Sequence, residues 1–408
     1  VQGGARAVAR CRELGHAPFS DRADGLWRGY LTPAHRAALD RVGHWMREAG
    51  MTTRIDAAIN LIGRYDGTGQ GPPLIIGSHI DSVRDAGVYD GPLGVMLGLE
   101  CVAALHAAGR RLPFAIEVFA FGDEEGSRFP VAMLTSRAVA GTLDDVPDLV
   151  DAEGITLETA LAGFGAAPGT MRGARHPGAL AYFETHIEQG PVLESEGLAL
   201  GVVTGIAAQA RYAVTVTGTA GHAGTCAMPL RRDALAGAAE MVLAIEHLAQ
   251  ARGGDLVATV GRLEALPGAT NVIPGEVRFT IDVRAGEDSR RDSAADDICA
   301  AILAIADRRG LGCDAQRVHV LPASPCDPQL MDLLEAALVG AGHHPRRLVS
   351  GAGHDAMVMA ALAPVAMLFV RCRQGISHNP AEHVEPADAD AALAVMLGFL
   401  DKLGESCA

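Results

Sequence analysis

The sequence predicts an α/β protein built on a mostly parallel sheet, with a smaller βαββαβ unit inserted into it. Three observations carry that expectation. Over the first half of the chain, short and almost wholly apolar runs alternate with helical patterns, as strands buried on both faces by crossover helices do. Near residue 208 the pattern changes to alternation, the mark of strands with one wet face. After Pro322 the first pattern resumes.

Residues 33–50 read as a helix, with Thr32 at the N-cap, Pro33 in the first turn and Gly50 as the stop. Residues 74–77 form an apolar strand. A polar run over 78–90 follows it, then a helix over 91–108 that Gly109 ends. A second strand, 114–121, runs into Gly122-Asp123-Glu124-Glu125, and 182–186 is a third. In the insertion, 212–216 and 256–263 read as strands. Residues 229–252 read as a helix with Leu235, Ala238, Met241, Val242, Ile245 and Leu248 on one face. Alternation is strict over 277–284: Val277, Phe279, Ile281 and Val283 point one way, Arg278, Thr280, Asp282 and Arg284 the other. Asp288 is expected to cap a helix carrying Ile298, Ile302 and Ile305, and a last strand lies near 317–321. That order is the split ferredoxin-like unit. A helix after Asp327, a strand over 365–370 and a helix from about Pro386 complete the chain. We therefore expect a discontinuous larger domain, 1–207 with 322–408, and an inserted domain, 208–321.

Of 408 residues, 49 are acidic and 34 are Lys or Arg, for a net charge of −15. Such a surface repels polyanions, which excludes nucleic acid and anionic membranes as partners. A content of 49% hydrophobic and 20% charged residues excludes a disordered chain. The longest apolar stretch, 356–370, is broken by Pro364 and is shorter than the ~18–20 residues a spanning helix needs. Residues 1–14 lack the apolar segment of a secretory signal, and a start at Val1 rather than Met is expected to follow a trimmed or disordered leader. The eight cysteines are scattered with no C-x-x-C, so a reducing cytoplasm is expected rather than a disulfide framework.

Four polar clusters fall at predicted strand ends: Gly77-Ser-His79-Ile-Asp81 with Asp90, Asp123-Glu124-Glu125, Glu184-Thr-His186-Ile-Glu188-Gln189, and Gly375-Ile-Ser-His378. The carboxyl ends of parallel strands converge on one crevice, so His79, Asp90, Glu125, His186 and His378 are expected to meet. Imidazoles mixed with carboxylates, without a thiol, suit Zn²⁺ or Mn²⁺ at a catalytic site. Five ligands are many for one catalytic ion with an open position. Two ions about 3.5–4 Å apart, bridged by a carboxylate, are the economical count. Asp90, just before a helix, is the natural bridge. Asp81, two residues past His79, can accept that imidazole's far N–H and set its tautomer. Within Glu124-Glu125, one carboxylate can bind metal while the other takes a proton from water; residue type does not say which.

Gly351-Ala-Gly353-His-Asp-Ala356 matches a dinucleotide fingerprint, but no acidic residue ends a following strand about 20 positions on. It reads better as a loop whose backbone approaches a ligand. A Gly-rich turn presents His222, and Asn271 with Arg284 suggests a carboxylate clamp.

These segments resemble the hydantoinase/carbamoylase branch of the two-metal aminoacylase and carboxypeptidase superfamily. The resemblance rests on GSHIDSVRDAGVYDGPLGV, DEEGSRFP, ETHIEQGPVLE, GHAGT, TNVIPGEVRFTIDVR, SGAGHDAM and GISHNPAEH, in family order from about residue 28 to the C-terminus. SGAGHDAM, PCDPQL and VAMLFVRCRQGISHNPAEH are most similar to allantoate amidohydrolases. N-carbamoyl-L-amino-acid hydrolases and ureidopropionases share the catalytic motifs. A peptidase or aminoacylase is a more distant reading, because His186 stands where many of those carry a carboxylate. The resemblance implies an aminopeptidase-like catalytic domain, an inserted dimerisation or lid domain, and two divalent metal ions per subunit, Zn²⁺ or Mn²⁺. His79, Asp90 and His186 would hold one ion, and Asp90, Glu125 and His378 the other. Glu124 would be the general base. His222 would reach a neighbouring subunit's site and bind the reacting carbonyl. Gln189, Asn271, Arg284 and the backbone near Gly353 would bind a small anionic ureido substrate, and the subunits would pair through 208–321. Two departures stand out: Asp85-Ala86-Gly87 where the family often has Gly-Gly, and Cys226-Ala227-Met228 where many members read Val-Pro-Met.

Overall fold

The computed structural model describes residues 3–143, 148–166 and 169–407. The chain forms two compact units. One comprises Val1–Thr204, Cys326–Leu348 and Ala352–Ala408; the other comprises Gly205–Pro325 with Val349–Gly351. No local pattern announces the return at 349–351.

The first unit is built on a mixed sheet. Its four central strands, in spatial order Ile116–Phe121, Leu74–His79, Ala181–Ile187 and Val365–Val370, run parallel. Every residue of all four is buried, which is why they read as continuous apolar runs. Antiparallel strands flank this centre: Leu61–Tyr65 with Thr52–Ile55 outside it on one side, Leu200–Ile206 on the other. Thr52–Ile55 is mostly exposed and carries no apolar signature, so this hairpin is invisible to pattern reading.

Helix Pro33–Glu48 starts as expected, with the Thr32 hydroxyl accepting from His35 N at 3.3 Å, and Gly50 takes φ +82° just past its end. Pro92–Ala107 is buried on nearly all sides. Its one acid, Glu100, is met by Arg6 and by Arg10 (2.7 Å) of helix Gly3–Leu14, since a carboxylate so placed needs charged partners. The Asp327 carboxylate caps Pro328–Gly340 through Gln329 N and Leu330 N, and Pro386–Ser406 packs on that helix and on Gly3–Leu14.

The second unit is an antiparallel sheet ordered Leu263–Leu266, Glu276–Ala285, Ala208–Thr217 and Gly312–Leu321. Val257–Thr259 pairs with the other half of Glu276–Ala285. The strand expected over 256–263 is therefore two pieces of one edge. Val277, Phe279, Ile281 and Val283 face a core shared with Met241, Ile245, Ile298 and Ile302 of helices Ala234–Arg252 and Asp288–Arg308. Two helix starts differ from expectation. The first helix begins at Ala234, not 229, because the Asp233 carboxylate accepts from Leu235 N and Ala236 N, while Met228–Leu230 is a separate 3₁₀ turn; Leu235 is consequently 37% exposed. Asp288 is the first helical residue rather than the cap. Its carboxylate pairs with Arg291 and accepts from Ala323 N. Among the described residues, no helix is long and apolar enough to cross a membrane.

Candidate metal centre

The four central strands of the first unit end on one side, and each delivers polar groups there. His79 closes its strand opposite Phe121, after which the chain reaches Glu124 and Glu125. His186 lies opposite Phe369, and His378 follows the fourth strand across the 3₁₀ turn Arg373–Gly375. Asp90 precedes helix Pro92–Ala107. The intervening Gly91 has φ +83°, and a Cβ there would lie 2.5 Å from the His79 ring, so glycine alone lets the helix begin so close.

Asp90 is the centre of the cluster. Its Oδ1 faces His186 Nε2 at 3.1 Å and His79 Nε2 at 3.7 Å, and its Oδ2 faces His378 Nε2 at 3.0 Å. His378 Nε2 is also 3.3 Å from Glu125 Oε1. Donor atoms lie mutually within 4.8 Å in three overlapping sets: His79 with Asp90 and His186, Asp90 with Glu125 and His378, and His79 with Glu124 and Glu125. A fourth set, Glu184 with His186 and His354, shares His186 with the first.

The donor set fits divalent cations. His79 Nδ1–H donates to Asp81 O at 3.2 Å and lies 3.3 Å from Asp81 Oδ1, while His186 Nδ1–H donates to Ile187 O at 3.0 Å. Both rings are thereby held with Nε2 toward Asp90, the arrangement that metal-binding imidazoles need. The Asp81 carboxylate also accepts from Glu124 N (3.0 Å) and Glu125 N (3.1 Å), so it orients the acidic doublet as well as His79.

The electrostatics point the same way. Burial works against a charged His79, yet hydrogen bonds to Asp81 and Asp90 raise it well above the ordinary range. Asp90 likewise raises His186 against its burial. Asp90 and Glu125 push His378 up to about 10. Asp90 itself is held well below the usual carboxylate range, despite burial, by the three imidazoles. Burial lifts Glu124 well above the usual range, with Glu125, Asp355 and Asp81 adding to it against His79.

A cleft of about 190 Å³ opens onto these groups, lined also by Ala132, Met133, Gln189, Ala352 and Gly353. Met133, Gln189 and His378 all have positive φ, at 58°, 56° and 53°, so backbone strain concentrates at this cleft. Gln189 is turned toward the cluster: its Nε2 donates to Asp90 Oδ2 (3.1 Å) and Ser377 Oγ (2.9 Å). Pattern reading missed Ser377, which donates to Asp90 Oδ2 at 2.8 Å, although it adjoins His378 in the same motif. It also missed His354, whose ring meets His186 edge-on at 4.4 Å and which burial holds well below the imidazole range.

His222, Asn271 and Arg284 belong to the second unit. His222 and Asn271 are exposed neighbours on a two-stranded ribbon: Gly221–His222 pairs with Val272–Ile273, and Ala223 N donates to Asn271 O. Arg284 is elsewhere. The ribbon adjoins the Thr217/Glu276 end of the sheet, whereas Arg284 pairs with Gln209 near the other end, ~26 Å of extended strand from Glu276. The expected Asn271–Arg284 clamp is therefore not assembled within this unit. The Arg284 guanidinium is instead forked onto Asp282 (2.9 and 3.1 Å) and donates to Gly351 O, because residues two apart share one face of a strand.

The chain belongs to peptidase family M20/M25/M40, whose profile it matches over residues 75–402. It is 41% identical to a probable allantoate deiminase of Oryza sativa subsp. japonica, over 97% of this chain and 87% of that protein. It is also 41% identical to an N-carbamoyl-L-amino acid amidohydrolase of Geobacillus stearothermophilus, over 96% of this chain and 97% of the other. A hydantoinase/carbamoylase-family amidase of Burkholderia multivorans superposes with a TM-score of 0.90 at 35% identity, covering 98% of this chain and 97% of its own.

Proposed function

We propose that this protein hydrolyses the ureido carbon–nitrogen bond of a small anionic N-carbamoyl compound, allantoate first, to ammonia, CO₂ and a ureidoglycine- or ureidoglycolate-type acid. The observation that carries this reading is the 41% identity, across 97% of the chain, to a protein named an allantoate deiminase. His79, Asp90 and His186 would hold one divalent ion, and Asp90, Glu125 and His378 a second. The nitrogen and oxygen donors favour Zn²⁺ or Mn²⁺. Ions bound there polarise a carbonyl and make water a stronger acid.

The carboxylate of Glu124 takes a proton from the attacking water, whose oxygen bonds to the ureido carbon. The carbon–nitrogen bond then breaks, and Glu124 delivers its proton to the departing nitrogen, which becomes the amine of the ureidoglycine-type acid; replacement of that amine by a second water, with loss of a second ammonia, would give the ureidoglycolate type. The carbamate left over decomposes to ammonia and CO₂. The partner subunit's His222 donates to the oxyanion. Arg284 and Asn271 hold the substrate carboxylate, aided by Gln189 and the backbone at Gly353. The separation of the His222–Asn271 ribbon from Arg284 along one sheet supports a site drawing on two copies, paired as a homodimer through the insertion 208–321. Arg284 and the ions would give an anionic substrate a locally positive pocket in a chain of net charge −15. The eight free thiols suit the reducing cytoplasm, and purine breakdown is the natural setting for an allantoate hydrolase.

The equal identity to the Geobacillus stearothermophilus enzyme favours a second reading, an N-carbamoyl-L-amino-acid hydrolase. One experiment separates the two: chelated protein is restored with Mn²⁺ or Zn²⁺, and ammonia release is followed from allantoate, N-carbamoyl-L-amino acids and ureidopropionate. Metal-dependent release, fastest from allantoate, is the expected result. Faster release from a carbamoyl amino acid selects the second reading, and no release from any compound rejects both.

A further inference from the structure

We infer that Glu382 is a positioning residue for Asp90 and that Gly87 is glycine in order to admit it. The inference rests on the metal-site reading above. Glu382 Oε1 accepts from two successive backbone groups, Tyr89 N at 2.7 Å and Asp90 N at 3.1 Å. The peptide bearing Asp90 is thus gripped from behind, while its carboxylate faces the imidazoles.

Three features set this apart from ordinary loop packing. Glu382 is only 6% exposed, and among the described residues no Lys or Arg pairs with it; its Oε2 has no hydrogen-bond partner. A buried carboxylate so poorly compensated is costly. Second, Glu382 is four residues from His378, and its own N–H closes a turn onto Asn379 O. The grip therefore ties the loop of His378 to the loop of Asp90. Asp90 has to present Oδ1 to His79 and His186 and Oδ2 to His378 at once, and the tie sets that relation. Third, a Cβ at Gly87 would lie 2.3 Å from Glu382 Cβ and Cδ and 2.4 Å from Oε1. Both residues border a separate cavity of about 250 Å³, which gives a displaced Glu382 side chain room to move.

The test is calorimetric titration of chelated full-length protein with Mn²⁺, alongside kinetics and thermal melting, for the parent, E382A, E382Q, G87A and G87A/E382A. E382A and G87A should each weaken ion binding about 10–100-fold, the usual effect of losing a group that supports a ligand. They should lower kcat more than they raise KM. E382Q, which keeps the accepting oxygen, should recover most of the loss. The double variant should be no worse than E382A alone, because both changes remove one contact. Unchanged ion affinity in E382A and G87A, or losses that add in the double variant, would overturn the inference while leaving the metal site standing. Should E382A fail to fold, G87A decides: lost affinity beside a binding-competent E382Q supports the inference, and retained affinity refutes it. A parent protein that takes up no ion removes the metal reading itself, and this inference with it.

Discussion

At the scale of single residues, the different roles proposed for Asp90 and Glu124 match their different surroundings. Asp90 is encircled by three imidazoles and stays ionised; Glu124 is buried beside other carboxylates, and its proton affinity rises, which suits a group that must take a proton and give it back. Glu124→Gln should therefore retain metal yet lose about 10²–10⁴-fold in kcat, checked by metal analysis together with steady-state kinetics. Near-normal turnover would reassign the base. Arg284 carries a different expectation. It is already forked onto Asp282, so it is held in place before any substrate arrives. Arg284→Ala should raise KM for carboxylate substrates about 10–100-fold, as the loss of a charged hydrogen bond does, with a smaller change in kcat. An unaltered KM would remove it from the substrate site. His79, Asp90, Glu125, His186 and His378, the five residues expected to meet, do lie together, and they were legible because each belongs to a glycine-bearing polar motif that ends or follows a strand. Ser377 and His354 were not, since a serine beside His378 or a histidine in a Gly-Ala loop has no signature until the fold sets it against Asp90 or His186.

At the scale of elements, residue order specifies most of the strands and helices that position the site. Strand Glu276–Ala285 follows its alternation without exception, with Val277, Phe279, Ile281 and Val283 all buried. Replacing Phe279 with Ala should cost about 3–5 kcal/mol, measurable as a lower urea midpoint, because neighbours in a packed core cannot close over a cavity of that size. A loss near zero would mean that the second unit's core is not close-packed. Helix starts were legible where a cap and a proline coincide, as at Thr32-Pro33 and Asp327-Pro328. Pro229 misled because a proline can open a 3₁₀ turn as readily as an α-helix, and Asp233 had the stronger claim as a cap.

At the scale of the molecule, two compact units share one chain, and the groups proposed to complete the site lie on the second. Subunit mixing tests this directly. Each of Glu124→Gln and His222→Ala should be nearly inactive alone. In a hybrid dimer, one site keeps its own Glu124 and receives an intact His222 from its partner. Mixing and refolding the two inactive proteins should therefore restore ammonia release. If His222 serves its own subunit, every site in the mixture lacks one group and no activity returns.

The sequence by itself determined the parallel centre of the sheet, the alternating strands of the insertion and the set of imidazoles and carboxylates at strand ends. All of these are written in short-range periodicity and in residue type. Tertiary structure alone decided which oxygen of Asp90 faces which imidazole, that Asp81 serves both His79 and the Glu124–Glu125 backbone, and that the ribbon beside Asn271 adjoins one end of the sheet while Arg284 lies near the other. The physical reason is one of range. Periodicity records which face of an element is dry, whereas contacts between residues tens or hundreds of positions apart depend on register and on the close approach that glycines such as Gly87 and Gly91 permit.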